Sequence, residues 1–121
     1  MKSEEREYIL YLEDMLESMS LISEYIETLD FDSFKRNRKT VDAVVRNLEI
    51  IGEAAKNIPQ NIKEQNTEMP WRQMYGLRNL IIHEYFGLDY EIIWDIVHIK
   101  LPKNKLKLED IISNIKNNNK I

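Results

Sequence analysis

From Tyr8 onward, apolar side chains fall at Tyr8, Leu12, Met15, Met19, Ile22, Ile26 and Leu29. The steps alternate between four and three residues, the repeat that lines one face of an α-helix. Ile9 and Leu16 widen the stripe on one side and Tyr11 on the other. No Gly or Pro interrupts it, so the pattern predicts one long helix from about Glu4 to Leu29. Phe31 and Asp32 then open an expected loop that holds the basic run Lys35-Arg36-Asn37-Arg38-Lys39. Val41, Val44, Leu48, Ile51, Ala55 and Ile58 repeat the spacing and predict a second helix over 40–57. Thr40 is the expected N-cap, because its hydroxyl can accept from a free amide of the first turn. Pro59 stops that helix, and the polar residues 59–70 are read as a short helix or loop. A third helix, over 71–84, carries Met74, Leu77 and Ile81 inward. Gly87 breaks the chain, and Asp89 caps a fourth helix through Ile99, with Ile92, Ile93, Ile96 and Val97 facing the core. Pro102 suits the first turn of a last helix bearing Leu106, Leu108, Ile111, Ile112 and Ile115. Residues 116–121 read as a polar tail that frays. No segment alternates with period two. The expected fold is all-α: an up-and-down bundle of about five helices filling residues 1–115 as one domain. The seams of the first two helices suit packing within a chain or across a dimer face equally well.

Composition narrows the chemistry. The chain has 121 residues, 43% hydrophobic and 31% charged, the balance of one globular domain. Without Cys it has no disulfide, thiolate zinc site, iron–sulfur cluster or Cys nucleophile. No apolar run approaches the roughly 20 residues that span a bilayer. The charged N-terminus leads into no signal-peptide core, so a cytoplasmic protein away from membranes is expected. The net charge of −4 is uneven. Residues 1–33 hold ten acids against two bases, whereas from His98 onward six lysines face two acids. An acidic protein is a poor generic nucleic-acid binder. The two basic segments either steer a polyanion locally or are solvated helix ends, and both readings stand at this point.

Of the two histidines, His83 lies in Leu77-Arg78-Asn79-Leu80-Ile81-Ile82-His83-Glu84-Tyr85-Phe86-Gly87. A permanent cation, a group that exchanges protons near neutral pH and a phenol thus occur close together. Arg can neutralise a phosphate while His moves a proton to or from an oxygen, which is the chemistry a phosphodiester needs. Five residues rotate a helix by about 140°, so Arg78 and His83 do not share a face. They converge if the helix loosens near Gly87, if the long Arg reaches round, or if two subunits pool residues. Asp42, Arg46, Glu49 and Glu53 lie on one stripe of the second helix. They form either a polar wall of a cleft, with Arg46 as a second phosphate contact, or a solvated face. No His sits at ligand spacing with them, so no metal is expected. Trp71, Trp94 and Tyr90 are read as core or dimer anchors, and His98 as structural.

The stretch Arg78 to Tyr85 resembles the R-x4-6-H motif of HEPN domains, in the form R-x4-H-x-Y. Arg46-Asn47-Leu48-Glu49-Ile50-Ile51-Gly52-Glu53-Ala54-Ala55-Lys56-Asn57-Ile58-Pro59 is similar to the second-helix signature of the HepT-like subfamily. Pro70-Trp71-Arg72, the run from Tyr85 to Trp94, and Leu101-Pro102 fit the same subfamily, so the resemblance covers roughly residues 5–115. It implies a homodimer that brings two motifs to a shared cleft. It also implies the toxin of a toxin–antitoxin module, of type II or, by modification of the toxin, type VII. The implied activity is a metal-independent ribonuclease without cofactor. The implied partner is an MntA-like minimal nucleotidyltransferase that silences the toxin by transferring AMP from ATP to the motif tyrosine. Carried onto this chain, Arg78 and His83 are the catalytic pair, Asn79 supports them with Arg46 nearby, and Tyr85 is the adenylylation site. Glu84 stands where the family pattern accepts other residues, including Gly. A carboxylate there raises the pKa of His83 or repels RNA phosphate. That favours an alternative, a non-catalytic HEPN module that binds nucleotide or RNA beside a nucleotidyltransferase.

Overall fold

The computed structural model describes the backbone of residues 3–82 and 89–118, and the side chains of 8–79 and 89–118. Its helices are α1 (Ser3–Ile26), α2 (Phe31–Arg36), α3 (Arg38–Lys56), α4 (Gln60–Gln65), α5 (Trp71–Ile82), α6 (Tyr90–Asp95) and α7 (Leu101–Asn118), with a π-helical turn at Ile96–Lys100. Among the described residues there is no strand. No described helix is long and apolar enough to cross a membrane.

The first stripe buries as its spacing predicts: Leu12, Met15, Met19, Ile22 and Ile26 all lie in the core. The helix ends earlier than its pattern, at Ile26, where the Leu29 N–H donates to the Ile26 carbonyl at 2.9 Å. The expected loop after it is a helix. The Asp30 carboxylate accepts from the Ser33 N–H at 2.8 Å and from the Ser33 hydroxyl at 2.6 Å, which caps α2. The hydroxyl contributes most to holding the Asp30 carboxyl below its ordinary value. The charged cap is therefore in place above the usual carboxylate range and is lost as pH falls through the lowered value. Phe34 is fully buried, which anchors this short helix to the core. Asn37 then caps α3, its Oδ1 accepting from the Thr40 N–H at 3.1 Å, so the cap lies three residues before the expected Thr40. The basic run occupies two helix ends: Lys35 and Arg36 lie in the last turn of α2, where the helix dipole favours them.

Helix α3 is the middle of the molecule. It buries Val41, Val44, Leu48, Ile51 and Ala55 and packs against α1 on one side and α5 on the other. Asp14 of α1 shares a cleft with Glu53, whereas Ser18 and Leu21 share one with Asn47. The rising number on α1 meets a falling one on α3, so the two helices run antiparallel. The α3–α5 contact is close. A Cβ built on Gly52 would lie 2.9 Å from the Arg78 N and 3.2 Å from the Tyr75 carbonyl oxygen.

The expected break between the fourth and last helices is absent. Helix α6 passes through the π turn into α7, and the Leu101 N–H donates to the Ile96 carbonyl five residues back. Pro102 offers no N–H to the carbonyl of His98, and its ring crowds that carbonyl. The wider turn immediately before it absorbs the mismatch. Ile93, Ile96 and Val97 face the core, but Ile92, expected inward, is exposed, because it lies one residue off their stripe. Leu106 is likewise 66% exposed, since two residues before Leu108 is a turn of about 200°. Helix α7 continues through Asn118, into the segment read as a tail, and Lys116 pairs with Glu13 of α1 at 3.2 Å. The aromatic anchors hold the frame. Trp94 packs on Phe34 at 5.2 Å between ring centres and stacks on His98 at 4.9 Å. The Trp71 indole N–H donates to the Asn66 carbonyl at 2.9 Å, which ties α5 to the end of α4.

The two described helical glycines should respond in opposite directions to alanine. At Gly76 a Cβ meets nothing described within 4 Å. Gly76→Ala should therefore gain the helix propensity of Ala, about 0.5–1 kcal/mol. At Gly52 the new Cβ strikes backbone, and overpacking of about 1–3 kcal/mol outweighs that gain. Thermal unfolding should show Tm raised by a few degrees in Gly76→Ala and lowered in Gly52→Ala. Equal shifts would mean that the α3–α5 approach is not tight.

Candidate functional site

The motif arginine is placed by packing before it is placed by charge. Its backbone N and its Cβ lie against Gly52, at 2.9 and 3.1 Å from where a Cβ of residue 52 would stand. The base of the side chain is thus held by the α3 backbone, and the guanidinium extends along the seam between α3 and α5. There Arg78 Nε lies 2.6 Å from Glu53 Oε1, with the two side chains 27% and 49% exposed. Nε is shut off from solvent, and its N–H is not aligned for a hydrogen bond, so the contact is an ion pair. On the other side Nη1 donates to the Tyr75 hydroxyl at 3.4 Å, and the guanidinium carbon lies 5.9 Å from the Tyr75 ring centre. A carboxylate, a phenol and a helix backbone therefore fix the cation while leaving part of it open to solvent. An ion pair with this exposure contributes about 0.2–1 kcal/mol. It orients Arg78 more than it stabilises the fold.

Glu53 also belongs to a cleft of about 210 Å³ between α1 and α3, which Tyr11, Asp14, Arg46 and Glu49 line with it. Arg46 is exposed and pairs with Glu49 at 3.8 Å. It lies seven residues before Glu53, about 10 Å along α3, on the same cleft wall but apart from Arg78. Of the acidic stripe, Asp42 is engaged by Arg38 at 3.1 Å and Glu49 by Arg46, so Glu53 is the member that reaches the motif. Asn79 is exposed, and among the described residues no hydrogen bond joins it to Arg78. His83, Glu84 and Tyr85 lie outside the described residues. Among the described residues, no three His, Asp or Glu side chains gather closely enough to hold a metal ion.

Three neighbours of Arg78, namely Tyr75, Glu53 and Gly52, are not paired with it by the sequence alone. Tyr75 precedes Arg78 by three residues, the spacing of neighbours on a helix surface, so this pairing had a local signal. Glu53 was visible only as one of four polar residues, because its partner comes from another helix. Gly52 carried a weaker sign: an isolated Gly inside a helical pattern often marks a close approach.

The family model described as "Ribonuclease HepT-like" matches residues 15–111. "Putative RNase MJ0127" of Methanocaldococcus jannaschii is 45% identical over 105 residues, 87% of each chain. "Probable ribonuclease HepT" of Thermococcus cleftensis is 45% identical over 101 residues, 84% of this chain and 92% of its own. "Putative RNase TTE0752" of Caldanaerobacter subterraneus is 36% identical over 102 residues, 84% of this chain and 91% of its own. No solved structure matches the chain significantly.

Glu53→Gln removes the negative charge beside Arg78 while keeping the shape of the side chain. A single-stranded oligonucleotide should then bind about two- to fivefold more tightly, the equivalent of an exposed pair worth up to about 1 kcal/mol. Fluorescence anisotropy at low salt measures this. Weaker binding would mean that Glu53 positions Arg78 for the phosphate rather than competing with it.

Proposed function

This chain belongs to the HepT-like ribonuclease family, and from that premise we propose that it is the ribonuclease toxin of a toxin–antitoxin module. The observation that carries the reading is Arg78. It is held at the α3–α5 contact by Gly52, Glu53 and Tyr75, part exposed, on the helix that leads to His83. In this reading the working unit is a homodimer, and two motifs share one cleft. One His83 imidazole takes the proton from an RNA 2′-hydroxyl, and the freed oxygen attacks the adjacent phosphorus. The bond from phosphorus to the 5′-oxygen breaks, and that oxygen receives a proton from His83 of the second subunit. The products are a 2′,3′-cyclic phosphate and a 5′-hydroxyl. Arg78 neutralises the charge that builds on the phosphoryl oxygens. Asn79 supports the site from its edge, whereas Arg46, expected to join it, lies in the α1–α3 cleft and pairs with Glu49. No metal enters these steps, and the use of the 2′-hydroxyl confines cleavage to RNA.

Silencing follows from the same electrostatics. A cognate minimal nucleotidyltransferase of the MntA type transfers AMP from ATP to the Tyr85 hydroxyl, releasing pyrophosphate. The new phosphodiester carries negative charge beside Arg78 and takes the place of the substrate phosphate. A second reading has one observation in its favour. Glu53 already occupies Arg78 at 2.6 Å, as a non-catalytic nucleotide-binding module would tolerate and a phosphate-binding enzyme must overcome.

Cleavage of a mixed RNA pool in EDTA tests the proposal. Wild-type protein should cleave, whereas His83→Ala and Arg78→Ala should lose at least about 100-fold in rate, the scale of general acid–base and electrostatic contributions. Tyr85→Phe should cleave normally but gain no AMP by intact mass after incubation with antitoxin and ATP. If folded, unmodified wild-type protein leaves the RNA intact, the binding-module reading replaces the enzyme.

A further inference from the structure

Beyond Tyr75, on the side away from the acidic cleft, a hollow of about 670 Å³ opens between the end of α3, α4 and the start of α5. Lys56, Lys63 and Arg72 line it against a single acid, Glu64. The protein as a whole carries −4. None of these three cations takes part in an ion pair among the described residues, a state they share with Lys103 and Lys107 on α7, but only they lie beside Tyr75. Unpaired positive charge gathered in one concavity of an acidic protein attracts anions there.

The hollow also adjoins the site through Tyr75. Arg72, Tyr75 and Arg78 follow one another at three-residue steps along α5, so their side chains are successive neighbours on its surface. Opposite them on α3, Lys56 stands one turn beyond Glu53. Tyr75 lines the hollow, is 37% exposed, and accepts from Arg78 through its hydroxyl. Beside it Trp71 is buried and hydrogen-bonded to Asn66, which gives the hollow a fixed wall. The space far exceeds one phosphate and falls in the range of sites that take larger ligands. Spaced cations beside an exposed aromatic ring suit a single-stranded nucleic acid, whose backbone the cations track and whose bases stack.

We propose that this hollow is a strand-binding subsite, taking the single-stranded RNA that flanks the phosphate at Arg78. Lys56, Lys63 and Arg72 contact its backbone, and Tyr75 lies under one base. The proposal rests on the ribonuclease reading and extends it. It gives the strand a direction across the molecule: along the basic hollow, past Tyr75, and away from the acidic α1–α3 cleft.

The experiment measures binding of a short labelled single-stranded RNA by anisotropy over a range of salt, in the His83→Ala protein so that nothing is cleaved. Lys63→Glu/Arg72→Glu should weaken binding about tenfold or more. It should also flatten the slope of log affinity against log salt by about 1.4, at roughly 0.7 for each lost phosphate contact. Tyr75→Ser should weaken binding about fivefold or more with the slope unchanged, and Tyr75→Phe should restore it. Lys103→Glu/Lys107→Glu on α7 makes the same change in net charge and should leave affinity within about twofold. Lys63→Gln/Arg72→Gln, a milder pair, should show the same order of effects if the charge reversals compromise folding. The hollow is refuted if the Lys63/Arg72 variants bind like their parent, if the α7 pair weakens binding equally, or if AMP alone binds as tightly as the RNA. RNA cleavage by protein with native His83 separates the two ideas. Cleavage and binding that survive Lys63→Glu/Arg72→Glu sink the subsite and leave the ribonuclease standing, whereas a parent that neither cleaves nor binds RNA sinks both.

Discussion

Residue 52 has no side chain, and for that reason the backbone of α5 lies directly against α3. The register of this contact sets the site. With Arg78 N and Tyr75 O against Gly52, the next residue on α3, Glu53, meets the guanidinium, and Lys56, one turn further, meets the hollow beside Tyr75. A methyl group at residue 52 would push α5 outward or along its axis. Either movement shifts the base of Arg78 relative to Glu53, whose carboxylate now lies 2.6 Å from Nε. Packing thus fixes where the charge sits, and electrostatics only orients its last atoms.

The same contact divides the molecule by charge. The α1–α3 cleft carries Asp14, Glu49 and Glu53 against Arg46, whereas the α3–α4–α5 hollow carries three cations against Glu64. Arg78 stands on the boundary and touches both through Glu53 and Tyr75. A cation placed there is held by a carboxylate of the acidic side and by the phenol that lines the basic side.

Short elements hold this frame. Six-residue helices such as α2 and α4 are too short to persist in water alone. Helix α2 stands because Asp30 caps it and Phe34 is buried against Trp94. Helix α4 is fastened through Asn66 to Trp71. The π turn at Ile96–Lys100 carries the chain past Pro102 without a break, so one continuous helical path covers the core from Tyr90 to Asn118.

The all-helical class and the inward stripes of α1, α3 and α7 were legible in the chain, because apolar periodicity is a local property that burial then uses. The HepT-like family was legible too, from ordered blocks spread over most of the length. The short helix α2 stands where the sequence predicts a loop. Its stability comes from Phe34 against a residue sixty positions away, and no local pattern announces that. The exposed Ile92 and Leu106 had the composition of core residues but sit off the stripe, which depends on where each helix meets its neighbours. Arg78 was identifiable by its motif, and Tyr75 lay within reach of helical spacing. Glu53 as its counter-charge and the convergence of Lys56, Lys63 and Arg72 on one hollow were not. Ion pairs and cavities form between segments distant in the chain, and their existence turns on ångström-scale helix separation, here set by one glycine.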